Sequence, residues 1–204
     1  TDSASLATNR MVFKTSLESR NSGQITSLYS IFLDKQRSYI PMLASDDEII
    51  DSIINAINSY DEFTFEAISI LLEIVRSIIA VSLDSVISKL IVEIGITLSI
   101  LIQNSLDEID ANSSEGGSNN SAILPLVLSL VETFTDYSIC SRSAMISFGI
   151  LDSVVLIAAK NYGDELTNQC LKTVQSILTK RHPKRNSGNL SSSSFSSLSS
   201  SDYG

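Results

Sequence analysis

The side chains able to do chemistry in this chain are few and scattered. His182 is the only histidine. It lies beside Pro183 in a basic run, without the oriented partner that a catalytic base requires. Cys140 and Cys170 are the only cysteines; both fall in apolar helical context, which reads as buried free thiols in a reducing compartment. One histidine and two separated cysteines assemble no zinc ligand set at the usual spacing. Gly116-Gly117 lacks the Lys-Ser/Thr of a phosphate loop and follows no strand, so it reads as a slack turn. The acids of Asp46-Asp47-Glu48, Asp61-Glu62 and Asp164-Glu165 each precede a helical pattern and read as caps and first-turn charges. No catalytic, metal-binding or cofactor-binding residue is assigned, and no cofactor is expected. The chain reads as a non-enzyme.

Charge narrows the partners. The net charge is −9, and Lys180, Arg181, Lys184 and Arg185 outnumber Asp202 in the last stretch, so the body before it is more acidic still. Nucleic-acid affinity rests largely on Lys and Arg neutralising phosphates, and binding to anionic lipid needs the same residues. Neither partner is expected. The basic cluster at 180–185 suits a helix C-terminus and also matches a nuclear-import signal, so the expected location is cytoplasmic with nuclear entry open. Ser187, just beyond it in a Ser-rich run, is a candidate phosphorylation site, where added phosphate would reverse the local charge.

The elements around these residues read as helices. Residues 1–22 are rich in Ser, Thr and Asn and are expected as a flexible extension, although Met11, Val12, Phe13 and Leu17 could begin a helix. From Gln24, apolar residues recur at helical spacing until Lys35, and Pro41 is expected to prevent a clean helix between Tyr39 and Ala44. Ser45 with Glu48 forms a capping-box pattern before the stripe Ile49, Ile50, Ile53, Ile54 and Ile57. Asp61 is expected to cap the next helix, which is apolar nearly all round and so must lie between neighbours. Asp84 is expected to open a long helix through about Leu106. Its apolar run at 86–102 is interrupted by Lys89 and Glu93 and falls short of the ~20 residues of a membrane span. A polar insertion loop follows at 107–121; Ser121 then caps a helix that tolerates Pro125 near its first turn. Beyond residue 180 the chain reads as a Ser-rich disordered tail, 181–204.

Two stretches resemble each other. Asp51-Ser52-Ile53-Ile54 is answered by Asp152-Ser153-Val154-Val155, and Asp61-Glu62-Phe63-Thr64 by Asp164-Glu165-Leu166-Thr167. They lie about a hundred residues apart, room for one further repeat of ~40–47 residues and an insertion. Residues 142–178 resemble one armadillo repeat: a short helix over Arg142–Phe148, a turn at Gly149, a second helix over Asp152–Lys160, and a third from Asp164-Glu165-Leu166. Cys170-Leu171 supplies the small-then-large pair of that third helix. The first copy has Ala44-Ser45 where the glycine turn would stand and is closer to a HEAT-like helix pair.

The resemblance implies an all-α, right-handed superhelical solenoid over residues 23–180. In armadillo proteins the third helices line a concave groove that holds extended peptides. Importin-type members place a Trp and an Asn one turn apart there; the matching positions are Ser69 and Glu73, and Lys172 and Ser176. The chain has no tryptophan, which removes the import-receptor function. The expected function is a protein-interaction scaffold binding a partner segment, with Glu66, Ser69, Glu73, Arg76, Asn168, Lys172 and Ser176 as partner-facing positions. The alternative is a regulator of a nucleotide-binding partner, either a formin-like region bound to a small Rho-type GTPase or an exchange factor for the Hsp70 chaperone.

Overall fold

The computed structural model describes residues 2–34, 36–111, 123–137 and 139–179. Within them the chain is all-helical, with no strand. Ten α-helices occur among the described residues: α1 (Asp2–Glu18), α2 (Ser22–Asp34), α3 (Gln36–Ala44), α4 (Asp47–Asn58), α5 (Phe65–Val81), α6 (Asp84–Ala111), α7 (Leu124–Tyr137), α8 (Ile139–Ser147), α9 (Ile150–Lys160) and α10 (Asp164–Leu178). The expected tail, the basic cluster, Ser187, His182 and the Ser121 cap lie outside the described residues.

Local chemistry explains most helix ends, and in places differs from the sequence reading. The cap of α4 is Asp46 rather than Ser45: its carboxylate accepts from the amides of Glu48 and Ile49 at 3.1 and 3.3 Å. The Ser45 hydroxyl donates backwards to the Met42 carbonyl instead. Asp61 caps nothing, because Tyr60–Glu62 form a short 3₁₀ turn and Thr64 accepts from the Ala67 amide to open α5. Gly149 does break the chain as expected, adopting φ 73° between α8 and α9. That left-handed conformation costs a side-chain-bearing residue more than glycine.

Pro41 sits inside α3. A proline within a helix costs roughly 3 kcal/mol, but Tyr39, Ile40 and Leu43 around it are buried, and each such side chain contributes ~1.5–3 kcal/mol. Packing wins. Most of the N-terminal stretch is helical, Asp2–Glu18 forming α1. α1 buries Phe13 and Leu17, and Phe13 meets Phe32 of α2 edge to face at 5.0 Å. Arg10 pairs with Asp46, and Lys14 reaches Glu48 at 2.6 Å, fastening α1 to the start of α4.

The helices pack as two rows. In one, α1 lies against α4, α4 against α6 and α6 against α9; in the other, α2 and α3 lie against α5, α5 against α7 and α7 against α10. Rungs join the rows, α1 with α2, α4 with α5, α6 with α7 and α9 with α10. α8 bridges α6, α7 and α9. A continuous apolar core runs between the rows, from Phe13 through the isoleucines of α4 and α5 to Ile177. The two similar stretches, α4–α5 and α9–α10, are separated by α6, α7 and α8, and the first five residues of the expected insertion loop, 107–111, are the end of α6.

α6 opens at Asp84 as expected and is 28 residues long, running past the expected end near Leu106 to Ala111. By length and composition it could cross a membrane, and half of its most apolar window is buried in the protein. Lys89 is tied to Asp51 of α4 at 2.6 Å. Gly95 lets α8 approach: a Cβ there would stand 2.4 Å from the Phe148 ring.

Candidate functional site

The row α2–α5–α7–α10 gathers most of the residues expected to face a partner. On α5, Glu66 and Arg76 are exposed and Ser69 and Glu73 half-buried; their positions recur at helical spacing along one side. Arg76 pairs with Glu73 at 2.6 Å and donates to the Ser129 hydroxyl of α7 at 3.0 Å. From the other side, Lys172 of α10 pairs with Glu132 of α7 at 2.8 Å. Thr173 donates to the same carboxylate at 2.9 Å. Ser129 and Glu132 are one turn apart, so a single helix face of α7 links the polar positions of α5 and α10.

The exposures decide what these groups do. The Lys172 side chain is 70% exposed while that of Glu132 is 15% exposed. Glu132 is therefore a mostly covered anchor, and Lys172 is an exposed charge held over it. Ser69 donates to the Phe65 carbonyl and is occupied within its own helix. Asn168 is exposed. Ser176 is not partner-facing: it is buried and hydrogen-bonds the Thr135 hydroxyl of α7. The side of α10 that holds α7 passes through Ser176, and a small hydroxyl there lets the helices approach.

At the α2 end of the row, Tyr29, Phe32, Ile40, Glu73 and Arg76 border a recess of about 160 Å³. Drug-sized ligands occupy ~300–1,000 Å³, so the recess admits a single side chain rather than a cofactor. Partial burial, followed by the Glu73 charge, raises the Tyr29 hydroxyl above its ordinary pKa, so it stays a neutral donor at physiological pH. Sequence reasoning missed Tyr29, Ser129, Glu132 and Thr173. Nothing in their local spacing marks them, because each matters through a helix distant in the chain.

Among the described residues, no group of three or more His, Cys, Asp or Glu side chains gathers to hold a metal ion. Cys170 is buried, as expected, and burial pushes its thiol up to about 11. Cys140 is exposed, contrary to the sequence reading. It lies in the second residue of α8, a short helix whose core contact is made by Met145.

No family model matches the chain, and no curated protein or solved structure is significantly similar to it.

Proposed function

We propose that the protein is a non-catalytic interaction module, a solenoid of armadillo- or HEAT-like helix pairs that holds a partner segment along the α2–α5–α7–α10 row. The observation that carries this reading is the polar line from Glu73 and Arg76 through Ser129 and Glu132 to Lys172, laid across three successive helices. A segment lying across those helices would meet alternating carboxylates and cations, with the Tyr29 recess to take a side chain. Stacked helix pairs suit this work because each pair contacts only its neighbours, leaving a long continuous face for a partner. The ion pairs fix charges in place before binding, which favours register and specificity over raw affinity.

Site-specific photo-crosslinking in cells tests the reading. Crosslinkers placed at Glu66 and at Asn168 are expected to capture the same protein, whereas one at Ser52, on α4 of the other row, captures none of it. Combined charge reversal, Glu73→Arg with Lys172→Glu, is expected to weaken that partner at least about tenfold, near 1.4 kcal/mol. Unchanged affinity in the double variant, or capture from Ser52 alone, would refute the face.

A further inference from the structure

We draw no further inference here: the strongest candidate, the exposed apolar stripe of Val92, Ile96 and Ile100 along α6, carries nothing because nothing in the structure shows what covers it.

Discussion

Burial separates two cysteines that look alike in the sequence. Cys170 is buried on α10, and desolvation raises its thiol to about 11, so almost no thiolate forms at pH 8. Cys140 is exposed. A disulfide-exchange reagent at pH 8 is expected to modify Cys140 in the native protein and Cys170 only after denaturation. Two fast-reacting thiols per native chain would contradict the packing of α10. A second residue-scale expectation concerns Asp110, whose carboxyl is held below 3.8 first by Lys160 and then by the Tyr162 hydroxyl. A carboxylate with a depressed folded pKa contributes stability above its unfolded value and loses it as pH falls through the folded value. Thermal melts from pH 7 down to about 2 should therefore show Asp110→Asn less stable than the parent near neutrality, with the two converging in acid. Parallel curves would mean that the Asp110 contacts contribute nothing. Asp110 and Lys160 are exposed, so added salt should shrink the gap.

Helix boundaries show where local chemistry is enough and where it is not. Gly149 and the Asp164 start could be read directly, since a left-handed turn and a first-turn acid depend on a residue and its immediate neighbours. Pro41 could not, because the cost of an interior proline is set against the burial of Tyr39, Ile40 and Leu43 by α1, α2 and α5. Gly95 is a similar case: its value lies in admitting the ring of Phe148, the residue just after α8, more than fifty positions away. Gly95→Val is expected to destabilise the protein by about 1–3 kcal/mol through overpacking, seen as a lower midpoint in urea with an unchanged slope. Gly23→Ala on exposed α2, where a Cβ meets only the Asn21 side chain at 3.8 Å, should be neutral or mildly stabilising. Equal effects of the two substitutions would show that helix propensity, rather than the α6–α8 contact, decides the outcome.

Across the whole molecule, the helices could be read from the sequence and their partners could not. An all-helical chain follows from periodic apolar stripes, few glycines and three prolines. The nearly all-round apolar α5 does lie between neighbours, packed on α2, α3 and α7. Glu73, Arg76 and Lys172 were singled out by position on their own helices, and they do share one row. Their link through Ser129 and Glu132 was invisible, since α7 carries no signal that it stands between them. Ser176 failed as a surface residue for the same reason: the side of α10 that faces α7 is chosen by packing. Val92, Ile96 and Ile100 on α6, like Leu171 and Leu178 on α10, are indistinguishable in sequence from core residues, yet they are exposed. Periodicity within one helix is a property of the chain alone, because it follows from 3.6 residues per turn. Which stripe meets a neighbour and which meets water is settled only when helices far apart in sequence compete for the same core.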